Sequence, residues 1–151
     1  MKILRIFRAR LRGRNEVPPV QTNAFGFAQF VTNRNHTRIR FALDVRNIRN
    51  FVQAHIHVGQ RGVNGPVVVF LFGADLETLE QQNGITTNRG VITGTITDRD
   101  IVPNDLGIRT VRDLLRAMRR GLTYVNAHTE QNPAPGEMRG QIVPIRSNSR
   151  R

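Results

Sequence analysis

The sequence predicts an all-β domain: an antiparallel β-sandwich or flattened barrel carrying one short helix. Three observations lead there. Residues 37–45 alternate strictly, with Thr37, Ile39, Phe41, Leu43 and Val45 set against Arg38, Arg40, Ala42 and Asp44. A strand with one wet face belongs to an antiparallel sheet. Similar short segments recur along the chain, separated by turns rich in glycine, proline and asparagine. Helical spacing is clearest at residues 111–120, where Val111, Leu114, Leu115 and Met118 form one apolar stripe.

In chain order, residues 3–11 read as a first strand, with Phe7, Ala9 and Leu11 on one side and Arg8, Arg10 and Arg12 on the other. Pro18 and Pro19 then impose a rigid connection. Strand composition resumes over 24–31 and 37–45, and residues 47–50 are predicted to turn the chain into a strand at 51–58. Glycines in the loop 59–66 permit a sharp reversal. The run 67–72 is apolar at every position, so it is expected to lie centrally with both faces covered. A short helical turn is expected at 75–82 and a strand at 90–97. The helix at 111–120 starts from Thr110 with Asp113 three residues on, and Gly121 sits where a left-handed C-terminal residue belongs. Strands at 122–129 and 137–145 complete the set.

The whole is expected to be one domain over residues 1–146 with a basic tail at 147–151. Mean hydropathy is −0.37, and no segment approaches the roughly 18 apolar residues of a membrane-spanning helix. The N-terminus lacks the apolar core of a secretory signal, so synthesis in the cytoplasm is expected, with association to a cell or spore surface as a later destination. Without cysteine, disulfides and thiolate metal sites are excluded. The net charge of +12 comes almost entirely from arginine, Lys2 being the single lysine. Such a field attracts polyanions. No helix-turn-helix, zinc knuckle or aromatic stacking motif accompanies it in the linear sequence, so sequence-specific nucleic-acid binding is not expected.

Chemistry concentrates in the histidines. His55 and His57 are two apart on one strand and share a face, while Val52, Ala54, Ile56 and Val58 point the other way. His128 projects with Tyr124 and Asn126 from the 122–129 strand. If those strands are neighbours, the three imidazoles converge on the surface, and with an oxygen donor or water they suit one copper or zinc ion. Tyr124, Glu16 and Glu137 are candidates for a further ligand or for orienting a histidine. The competing reading has the histidines bonded to turn carbonyls or carboxylates, locking loops onto the sheet. His36 lies in a polar turn, and Arg139, between Glu137 and Gln141, reads as an ion-pair partner. The 59–66 loop lacks the Gly-Lys-Ser/Thr ending of a phosphate loop, and no Ser-His-Asp or paired-carboxylate arrangement is legible.

Several stretches together resemble the CHRD domain, first described in chordin and found also in bacterial proteins. They are Leu11-Arg12-Gly13 with Asn15-Glu16-Val17-Pro18-Pro19-Val20, then Ala54-His55-Ile56-His57 with Gly62-Val63-Asn64-Gly65-Pro66, then Tyr124-Val125-Asn126-Ala127-His128-Thr129, and finally Gly136-Glu137-Met138-Arg139-Gly140-Gln141-Ile142. In animals that module is one unit of an extracellular antagonist of bone morphogenetic proteins. The His-x-His strand is also similar to the copper-binding strand of Cu/Zn superoxide dismutases, which implies a Greek-key sandwich of that kind. The chain departs from the dismutase pattern in lacking its cysteine pair, and its four histidines do not supply a two-metal ligand set. The function expected is a non-catalytic binding module with a three-histidine copper or zinc site, acting within a homo-oligomer or other assembly. A structural or adhesive protein holding polyanions on an arginine-rich face is the alternative, and a copper-dependent oxidoreductase the third.

Overall fold

The computed structural model of the chain describes residues 5–73 and 84–145. The expected helical turn at 75–82 and the basic tail lie outside them. Eight strands are described: β1 (Ile6–Arg12), β2 (Phe25–Thr32), β3 (Ile39–Val58), β4 (Val67–Phe72), β5 (Ile85–Ile96), β6 (Thr123–Thr129), β7 (Met138–Gln141) and β8 (Val143–Pro144). Helix α1 (Val111–Arg119) precedes β6. The strands form an antiparallel sheet in the order β2-β1-β7-β6-β3-β4, and a further β2–β3 pairing closes it into a barrel. The all-β barrel read from the alternating pattern is what the chain adopts.

β3 organises the molecule. It runs for 20 residues where two strands and a turn are predicted. Asn47 and Asn50 do take left-handed φ angles of 52° and 55°, conformations that asparagine tolerates better than most residues. Because only single residues are left-handed, the strand bends without reversing, and the register against β5 and β6 shifts there. A strand that bends at a bulge passes from one face of a flattened barrel to the other. The N-terminal half of β3 thus lies between β2 and β5, and the C-terminal half between β6 and β4.

The core lies between these faces. Phe7, Leu11, Phe30, Leu43, Phe51, Ile56, Val125 and Met138 are buried within it, each such side chain contributing about 1.5–3 kcal/mol by leaving water. Helix α1 adds Val111, Leu114, Leu115 and Met118 to that core. Its N-terminus carries the expected capping box, in which Thr110 accepts from the Asp113 N–H and Asp113 accepts from the Thr110 N–H.

β4 corrects a second expectation. It ends the strand order, and Phe70 is exposed. Two register shifts against β3 break its alternation, which explains an apolar residue at every position without burial on both faces. The strand covered on both faces is β6, buried at all seven positions. Its inner side chains enter the core, and its outer ones enter the site below.

Candidate metal centre

The outer face of β3 and β6 is polar and closed over by loops. Pairing places His57 opposite Tyr124, His55 opposite Asn126 and Gln53 opposite His128. His55, His57 and His128 therefore converge, each offering one nitrogen, with all three nitrogens within 4.8 Å of one another. The surface position expected for them is corrected: loops 59–66 and 130–136 cover the face, leaving the rings 6%, 8% and 8% exposed.

Hydrogen bonds decide which nitrogen each ring presents. His57 Nδ1–H donates to the Gly65 carbonyl at 2.8 Å, and His128 Nδ1 faces the Pro133 carbonyl at 2.9 Å. His55 Nε2–H donates to Gln53 Oε1 at 2.9 Å. The Gln53 amide is itself oriented, because its Nε2 donates to the Gly73 carbonyl. Each proton assigned in this way leaves the lone pair on the other nitrogen. Those are His55 Nδ1 and His57 Nε2, while a neutral His128 keeps its lone pair on one nitrogen or the other. The first two are buried without any hydrogen-bond partner, and leaving such atoms unmade costs about 1–3 kcal/mol each.

His128 meets a more pointed conflict, because it has an acceptor at each nitrogen. Asn126 Oδ1 lies 2.9 Å from His128 Nε2, while Asn126 Nδ2 donates to the Pro135 carbonyl and so fixes the amide. Two acceptors facing each other repel unless a proton or a metal cation sits on the nitrogen. Burial holds all three imidazoles neutral, His55 down to about 3 and His128 down to about 4, with His57 lowered in the same direction. Neighbouring histidines reinforce the shift at His55 and His128. Neutral imidazoles bind metal without first losing a proton. Two nitrogens bound to one zinc at about 2.0–2.1 Å are at most about 4.2 Å apart, so the widest pair would have to draw together for an ion to bind. A cleft of about 370 Å³ lined by Gln53, His55, His128 and Pro133 gives access.

The His57 side is sealed by a stack. Arg139 lies 3.4 Å over the Tyr124 ring, and His57 stacks on the same ring at 4.8 Å and 6°. Two planar groups on one ring take its two faces. The buried Arg139 donates to Asn64 Oδ1 and to the carbonyls of Gln60 and Val63. Gly65 N–H donates to the Tyr124 hydroxyl. Gly65 has to be glycine, since a Cβ there would lie 1.6 Å from the Val58 carbonyl. Arg139 thus works as a loop clamp stacked on tyrosine. It forms no salt bridge among the described residues, contrary to the ion pair read from the sequence.

The remaining candidates separate. Tyr124 orients His57 and the loop through its ring and hydroxyl. Glu137 accepts from Thr22, Thr129 and Asn132 and bonds none of the three histidines, whereas the competing reading's bond from a histidine to a turn carbonyl is present at His57–Gly65, and a second joins His128 to Pro133. Glu16 is 2% exposed, and burial raises its pKa to about 7 against the pull of Arg139 and of the neighbouring Asn126 side chain. It borders Asn126 at Gly136, where a Cβ would meet both side chains. Gln53 and Asn126 were not singled out from sequence. Their signal was available, since each lies two residues from a histidine on the same strand face.

The geometry defines a class: an all-β barrel module with a buried cluster of three neutral histidines on one outer face. The chain belongs to the CHRD domain family, which matches residues 7–142. No curated protein matches the chain.

Proposed function

We propose that this chain is a non-catalytic CHRD-type binding module in which His55, His57 and His128 hold one copper or zinc ion. The observation that carries the reading is the set of lone pairs. Carbonyl oxygens of Gln53 and Gly65 leave His55 Nδ1 and His57 Nε2 with free lone pairs, His128 is held between two acceptors, and one nitrogen of each ring lies within 4.8 Å of the others. Outer-shell hydrogen bonds of this kind fix the tautomer and orientation of metal-binding histidines. Three imidazoles favour zinc or copper over magnesium or calcium, which prefer oxygen. Asn126 Oδ1 and water from the cleft are the oxygen donors at hand. Elemental analysis and calorimetric titration test the reading. Near-stoichiometric zinc or copper uptake is expected, with a loss of at least ~100-fold in affinity for His55→Ala and for His128→Ala, comparable to the upper range for second-shell losses. Unchanged uptake in both variants overturns it.

A further inference from the structure

The outer face of β1 and β2 carries positive charge in an organised form. Register places Arg8 beside Gln29, Arg10 beside Phe27 and Arg12 beside Phe25. On the next strand Phe27 sits beside Asp44 and Val31 beside Arg40. Arg8, Arg10 and Arg12 thus form a column on β1, about 6.6–6.8 Å apart by strand rise. Asp44 is already taken, bound by Arg46 at 2.8 Å and approached by Arg89 at 3.4 Å. Arg8, Arg10 and Arg40 form no ion pair among the described residues. The Arg12 guanidinium lies over both Phe25 and Phe27, at 5.2 and 5.9 Å, and Phe27 remains 38% exposed. A cleft of about 770 Å³ runs between Arg8, Arg10, Phe27 and Val91.

We propose that this face binds single-stranded nucleic acid without sequence preference, with phosphates on Arg8 and Arg10 and a base stacked on Phe27. A cationic track beside an exposed aromatic ring is the combination that such binding uses, because every base has a π-face. Arginine suits the role better than lysine, since its planar fork matches phosphate and stacks on rings. The stacking element missing from the linear sequence is assembled across β1 and β2, with arginines on one strand and phenylalanines on the next. A single strand fits better than a duplex. The face is a sheet with a shallow cleft that presents no helix for the major groove, and a ring stacks only on an unpaired base.

The test is fluorescence anisotropy of the full chain with labelled oligothymidine of about 12 nucleotides, within the usual site range. Affinity is expected to fall with salt at a log–log slope of about −1.4, for two phosphates at about 0.7 each. Phe27→Ala should weaken it about 10-fold while Phe27→Tyr retains it, and the Arg8→Glu/Arg10→Glu double variant should lose more. Circular dichroism checks that each variant is folded. Absence of binding at low salt overturns the proposal. So does a Phe27→Ala variant that binds like the parent, or a duplex or sulfated polysaccharide bound as tightly as the single strand, because charge alone then explains the face.

Discussion

Replacing Glu16 by glutamine isolates the energetic effect of one buried carboxyl. Burial lifts its pKa from 4.5 to about 7, although Arg139 and Asn126 pull the other way. The folded state therefore holds this proton more tightly than the unfolded chain. The stability contributed by the protonated group is fully present below pH 4.5 and is lost as the pH rises through about 7. A shift of that size corresponds to about 3 kcal/mol at roughly 1.4 kcal/mol per unit. Glutamine has nearly the same shape and never ionises. Relative to the parent, Glu16→Gln should gain about 3 kcal/mol between pH 5 and pH 8, whatever constant offset its amide introduces. Urea denaturation at both pH values, in a chelator so that the histidine cluster holds no metal, measures the difference. Equal offsets at the two pH values refute the reasoning, and a larger loss at pH 8 would show an ionised Glu16 paired with Arg139.

Two more changes follow from the same geometry. Because the folded pKa of His55 is lowered to about 3, its contribution is present above pH 6.5 and falls away on acidification. By pH 5 it removes about 2 kcal/mol, or roughly 4–8 °C of melting temperature for a domain of this size. Melting of chelated protein at pH 7 and pH 5 should show this, and His55→Gln should flatten the dependence; identical slopes would remove the basis for a neutral buried cluster. Gly65→Ala forces a Cβ to within 1.6 Å of the Val58 carbonyl, so the 59–66 loop has to lift, with an expected loss of about 2 kcal/mol or more as the Tyr124 and His57 bonds break. Limited proteolysis should cut that loop faster in the variant, and an unaltered cleavage rate would count against the clamp.

Local pattern and tertiary contact contributed differently. Alternation over 37–45 was enough to read an antiparallel sheet, because side chains on a strand repeat every two residues and one face must meet water. The helix was equally legible from Thr110, Asp113 and the stripe ending at Met118. The same periodicity placed His55 with His57, and His128 with Asn126 and Tyr124, on common faces. It could not distinguish a turn from a bend at Asn47 and Asn50, since both use left-handed residues and only pairing with β5 and β6 shows that the strand continues. Nor could it show that β4 ends the strand order, because register shifts imitate the composition of a buried strand.

What the sequence alone determined about this protein is its strand faces, its helix, its excess of arginine and a pair of histidines on one face, all consequences of short-range geometry and composition. Only the tertiary structure decided that β6 lies beside β3, so that His128 joins the pair. It also seated Arg139 on Tyr124 with no salt bridge among the described residues, and oriented the three rings through oxygens of Gly65, Pro133 and Gln53. Those partners are eight, five and two residues from their histidines. Gln53 had a local signal in the strand period, but the effect of Gly65 and Pro133 depends on loop closure, which arises from packing across the barrel.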